Sequence, residues 1–239
     1  MLSNARVFFV VLASALALSG CASRSDDPST AGVRLTATLH PPQDVTLRWT
    51  GADPSAAGAV VEFATDPGGP YAELEFTPPR RTTLEHPDLM PETTFYYRVR
   101  EIYGPASATV DVTLPPGDLD ENAHADDPDW AAPQVRPEAV PKRSVRAAAA
   151  DADPLGLRAT VMDPNGIRFT WTDRASDEEG YLVEVRPAGA ADFRVAAVLD
   201  PDVNQYGLVT LPDEKRATYR VRAFYYGPPS NLAKQTTGK

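Results

Sequence analysis

Cys21 is the only cysteine among 239 residues, so thiol chemistry of any kind comes down to one position and no disulfide can form within the chain. The residues Asp118, Asp120, Asn122, His124, Asp126 and Asp129 fall at relative positions 1, 3, 5, 7, 9 and 12, the spacing of a calcium loop. That chemistry also asks for Gly at position 6 and a bidentate Glu at position 12, where this chain has Ala123 and Asp129, with Pro128 inside the loop. A solvated acidic linker is the stronger reading, with a calcium-responsive tether as its rival. His40, His86 and His124 stand apart, with no His-Glu-x-x-His pair to hold zinc. No Gly-x-Ser-x-Gly elbow and no phosphate-binding glycine loop occurs, so no catalytic, cofactor or metal residue is assigned and the chain is read as a non-enzyme. Glu62 and Glu184 recur at equivalent places, each flanked by apolar residues; they read as outward strand residues paired with arginines of the Arg98 and Arg100 type. Tyr103, Tyr225 and Tyr226, beside Gly-Pro turns, are the candidate ligand-contact aromatics, with packing on a sheet edge as the alternative.

The thiol is placed by what precedes it. Arg6 is followed by an apolar and small-residue run from Val7 to Leu18, and the first twenty residues contain no acid. That is the pattern of a secretory signal, too short at roughly a dozen residues to span a membrane, which takes about twenty. Leu18-Ser19-Gly20-Cys21 resembles the bacterial lipobox. The resemblance implies cleavage after residue 20, a covalent lipid such as palmitate on Cys21, and a mature protein that begins there. Each buried methylene contributes only about 0.8 kcal/mol, so tight anchoring needs more than one acyl chain. By the same resemblance, Ala22 rather than Asp after the cysteine leans toward the outer membrane, or more generally the periplasmic or extracellular face of the envelope. Loss of the leader leaves 22 basic against 33 acidic residues, a net of −11 that repels nucleic acid and anionic headgroups. The lipid is then the contact with the bilayer.

The remainder is organised by a repeat. At an offset of 122, Val45-Thr46-Leu47-Arg48-Trp49-Thr50 matches Ile167-Arg168-Phe169-Thr170-Trp171-Thr172, and Ala59 to Phe63 matches Tyr181 to Val185. Leu89 matches Leu211, and Tyr97-Arg98-Val99-Arg100 matches Tyr219-Arg220-Val221-Arg222 in the same register. Each block alternates apolar and polar residues at the period of a half-buried strand, with Val45, Leu47 and Trp49 inward and Thr46 and Arg48 outward. Pro, Gly, Asp and Asn crowd the turns between blocks. The class is all-β.

Both copies resemble fibronectin type III domains. The second carries Trp171-Thr172-Asp173, Ser176-Asp177-Glu178-Glu179-Gly180-Tyr181 and Pro229-Ser230-Asn231; the first carries Leu89-Met90-Pro91-Glu92-Thr93 before Phe95 to Val99. The resemblance implies immunoglobulin-like β-sandwiches over 32–115 and 155–237. The tyrosine of the family's corner falls at Phe95 and Ala217, so both corners are expected to lack their hydrogen bond.

Residues 21–31 read as a tether, and 116–154 as a disordered acidic linker rich in Pro and Ala, with Trp130 and the valines as its only means of docking. A coil of that length spans about 35 Å. The expected function is therefore a non-catalytic, lipid-anchored envelope protein that binds or scaffolds through tandem fibronectin type III domains, with a protein or glycan as partner. An accessory subunit or spacer of an envelope enzyme or polysaccharide-processing complex is the alternative.

Overall fold

The computed structural model of the chain describes residues 32–117, 127, 129–147 and 151–239. Cys21, with the expected leader and tether, and the Asp118 to Asp126 part of the calcium-like spacing lie outside the described residues.

Two β-sandwiches form, as the alternation requires. In the first, β1 (Arg34–His40), β2 (Asp44–Thr50) and β5 (Thr83–His86) make one antiparallel sheet in the order β1-β2-β5. It faces a sheet of β4 (Ala72–Thr77), β3 (Gly58–Ala64) and β6 (Thr94–Tyr103). Val45, Leu47 and Trp49 are buried against Val61, Tyr97 and Val99, as a period of two demands.

The second sandwich repeats this. β8 (Leu155–Val161), β9 (Gly166–Thr172) and β12 (Gln205–Val209) pair in the order β12-β9-β8. They face β11 (Arg194–Leu199), β10 (Gly180–Pro187) and β13 (Arg216–Pro229) around Phe169, Trp171, Tyr181, Tyr219 and Val221.

Each sandwich draws its last strand from the other copy. After β6, the chain does not turn back. It runs on through Gly104-Pro105 and lays β7 (Val110–Thr113) along β13, Val112 opposite Ala217, so that Val112 and Leu114 enter the second core. Reciprocally, β13 continues through Gly227 and Pro228 alongside β6, and β14 (Ala233–Thr236) pairs with β6, bringing Ala233 into the first core. The two strands cross side by side, Tyr225 opposite Tyr103 and Tyr226 opposite Ile102. The crossing is symmetric in detail. Ser107 accepts the Val221 amide proton on Oγ at 3.1 Å, and Ser230 accepts that of Val99 at 3.0 Å. A side chain at Gly104 (φ 117°) would place Cβ 2.0 Å from the Ala223 carbonyl oxygen, so the close approach of the crossing backbones requires glycine.

The boundaries expected from the sequence, which kept β7 with the first copy and β14 with the second, are therefore corrected. Hydrophobic alternation identifies a strand and its buried face, but not the sheet it joins.

The outward faces of the two four-stranded sheets also meet. Val60 and Ile102 pack on Leu182 and Phe224, all 2% exposed or less, with Phe76, Val195 and Tyr226 around them. This apolar contact is flanked by Glu62, held by Arg98 at 2.6 and 3.3 Å, and Glu184, held by Arg220 at the same two distances and by Arg222 at 3.2 Å. The pairing matches the expectation for these carboxylates.

The linker expectation is corrected over 129–147, which follow the second sandwich. Trp130 is buried beside Gly207, where a Cβ would lie 2.7 Å from the indole, and Val145 joins the core. Gln134 forms a β-bridge with Gln205, and Arg136 exchanges two hydrogen bonds with the Asn204 side chain at 2.7 and 2.9 Å. A few apolar side chains suffice because the exposed edge of β12 supplies backbone partners.

Two outcomes are expected. Residues 32–117 alone lack β14 and should show no cooperative unfolding by circular dichroism; a stable folded monomer would contradict the exchange. Trp130→Ala should lower stability by about 3–5 kcal/mol in denaturant titration, whereas a detached linker would leave it unchanged.

Candidate functional site

Among the described residues, a cluster of ionisable side chains lies at one end of the second sandwich, where β9 leaves the sheet and the chain turns into β10. Asp173, just past β9, is buried. It accepts hydrogen bonds from Lys142 Nζ at 2.5 Å, from the Ala175 amide at 2.9 Å and from the Tyr181 hydroxyl. Its own amide donates to Glu138 Oε2 at 2.9 Å. Glu178, next to β10, is 9% exposed; Oε1 accepts from the Asp202 amide at 3.2 Å, and Oε2 is buried without a hydrogen-bond partner. Asp202 comes from the turn between β11 and β12, with φ at 63°. One carboxylate oxygen from each of the three lies within 4.8 Å of the others.

Lys142 bridges Asp173 and Asp202, and these three line a cleft of about 310 Å³ together with Arg136, Glu138 and Asn204. Burial by itself works against the charged ammonium, but hydrogen bonds and charge from Asp173 and Asp202 outweigh it and raise the Lys142 pKa. Burial raises the Glu178 carboxyl above its ordinary range. Burial, with Asp173 next, does the same to the Tyr181 phenol.

The adjacent residue holds the linker. Asp177 accepts from Ser144 Oγ at 2.5 Å and from the Val145 amide at 2.6 Å, while Arg146 reaches Glu179 at 2.6 Å.

The sequence singled out other residues. Tyr103, Tyr225 and Tyr226 sit inside β6 and β13 rather than on loops. Tyr103 stacks on Tyr225 across the crossing, with centroids 5.6 Å apart, and donates to Glu101 at 2.8 Å. Tyr226 donates to Glu73 at 3.1 Å and lies under Arg100 at 4.1 Å. The three rings thus clasp the joint, each of them half-buried.

The tyrosine-corner expectation is corrected in the second copy alone. Tyr219, two residues beyond the expected position, donates to the Glu214 carbonyl at 3.1 Å; in the first copy Tyr97 meets His86 Nδ1 at 3.2 Å. His40 pairs with Thr46, and His124 lies outside the described residues.

Asp173, Glu178, Asp202 and Lys142 were not singled out as a group, although a signal existed. The first copy has Gly51, Ala56 and Arg80 at the positions 122 earlier, so the acidic triad belongs to the second copy alone.

The strand arrangement, three strands facing four, is that of a fibronectin type III-like sandwich, present twice. No protein-family model matches the chain, and no curated protein matches it. Solved structures do. A two-domain fibronectin type III segment of chicken tenascin is 14% identical, covering 86% of this chain and 97% of its own at a TM-score of 0.27. The FN1–FN3 domains of chicken CNTN1 are 16% identical over 86% of this chain and 65% of theirs, at 0.27. Pectate lyase PelI from Erwinia chrysanthemi, solved with tetragalacturonic acid, is 16% identical over 30% of this chain, at 0.28; the match spans 23% of the lyase.

Asp177 yields a pH prediction. Burial alone would raise its pKa, but the bonds from Ser144 and Val145 outweigh it and hold the carboxyl below the ordinary aspartate value. A depressed folded pKa gives docking that is intact above the unfolded value, near 4, and lost as pH falls through the folded one. Hydrogen-exchange protection of the Val145 amide, corrected for intrinsic rate, should be constant above about pH 5 and fall below about pH 4. Asp177→Asn should remove that dependence.

Proposed function

We propose that this is a non-catalytic bacterial lipoprotein, held at the cell envelope by a lipid on Cys21, whose two fibronectin type III-like sandwiches act together as a binding or scaffolding module. The observation that carries the reading is the position of the single cysteine, directly after an apolar leader and Leu18-Ser19-Gly20. Among the described residues no helix is long and apolar enough to cross a membrane.

The structure changes how such a scaffold works. A free linker would let the distal domain search a wide volume, but β6, β7, β13 and β14 tie the sandwiches to each other, and residues 129–147 are docked. The module therefore offers a partner one preformed surface. With fewer rotations and segments to order, such a surface loses less entropy on binding than a flexible pair would.

Intact mass of the protein extracted from its native membrane tests the anchor. The expected species begins at Cys21 and carries the added mass of a lipid, and Cys21→Ser should move the protein into the soluble fraction. An unmodified Cys21 in the culture supernatant would overturn the reading. Proximity labelling of the anchored protein then identifies what it holds; one stoichiometric enzyme would instead favour an accessory subunit, and a glycan with no protein would exclude an adaptor.

A further inference from the structure

We infer that Asp173, Glu178 and Asp202 form a divalent-cation site for which the Lys142 ammonium is the resident competitor. Three carboxylates converge within 4.8 Å, and one basic group, Lys142, is bonded to two of them.

The acidic cluster does not stand alone. Glu178 Oε2 is buried and has no partner, on a side chain nine-tenths removed from solvent. A buried carboxylate oxygen left unpaired carries a desolvation cost that coordination would offset. The hydrogen bonds of Lys142 go to Asp173 and Asp202 rather than to Glu178.

The donor set is all oxygen, which selects a hard ion such as calcium over zinc. Calcium takes six to eight oxygens and tolerates irregular geometry, so three carboxylates leave positions for water, and the cleft that Asp173 and Asp202 line gives water access to them. Magnesium, which demands a near-ideal octahedron, fits less well.

Lys142 makes the site conditional. The ion enters when the ammonium leaves, and Lys142 belongs to the docked segment, between the Arg136 contacts and the Ser144 to Arg146 contacts. Cation binding thus competes with the fastening of that segment to the turns around Asp173 and Asp202. The site differs in place from the calcium-like spacing of Asp118 to Asp129, and it is independent of the anchor.

Terbium luminescence on the purified full chain tests it, because the Trp171 ring lies 5.5 Å from that of Tyr181, whose hydroxyl bonds Asp173, and supplies a nearby donor. The wild type should give emission that calcium suppresses. Lys142→Met should bind about tenfold tighter if the ammonium occupies the site about nine-tenths of the time, since apparent affinity scales with the competent fraction. The isosteric pair Glu178→Gln with Asp202→Asn should lose the signal while keeping the thermal midpoint of a folded chain. Emission that survives that double substitution, an unchanged affinity in Lys142→Met, or no binding by either wild type or Lys142→Met would each overturn the proposal.

Discussion

The crossing of β6 and β13 is the constraint on which the rest of the molecule depends. Where Tyr103 pairs with Tyr225, each strand leaves its own sandwich, and the segment that follows completes the partner. The outer faces of both four-stranded sheets are consequently brought together, which is why Val60 and Leu182, on the sides that face water in an isolated sandwich, are almost wholly buried. The same geometry encloses Glu62 and Glu184. Burying such charges is costly unless they are paired, and each is met by a two-pronged arginine. Burial lowers the Arg222 pKa, while Glu184 opposes that shift.

The duplication is nearly exact at this joint and diverges away from it. Ala57 donates to Ile102 and Glu179 donates to Phe224, both at 2.7 Å, and the two serine bridges are equivalent. The acidic end of the second sandwich has no counterpart in the first. There the linker docks and Lys142 is held. The shared part of the repeat therefore maintains the body, and the unshared part carries the feature with chemical potential.

Much of the fold was legible in the sequence. The period of two placed Val45, Leu47, Trp49 and their equivalents inward, and the offset of 122 gave two sandwiches. The Glu62 and Glu184 ion pairs followed from cross-strand neighbours. Strand exchange was not legible, because alternation is indifferent to which sheet a strand joins; only Gly104-Pro105 and Gly227-Pro228, each followed by a serine, marked where the backbone irregularity falls. Composition misjudged the linker for a related reason. It measures how much apolar area a segment brings, whereas Trp130, Gln134 and Val145 use surface and backbone groups that β12 and the second core already present. The acidic triad was hidden because its members are separated by up to 29 positions and converge only when two turns meet.

Exchange also sets an order of events during synthesis. Thr94 contacts Thr236 across 142 positions, and Gln235 contacts Ala37 across 198. The first sandwich, made earliest, cannot close its sheet until the segment near residue 236 has left the ribosome. Until then β6 presents an unpaired edge, and closure over so long a span is entropically slow. A chaperone that shields this edge would find its substrate in the half-made chain, and its work would end when β14 arrives.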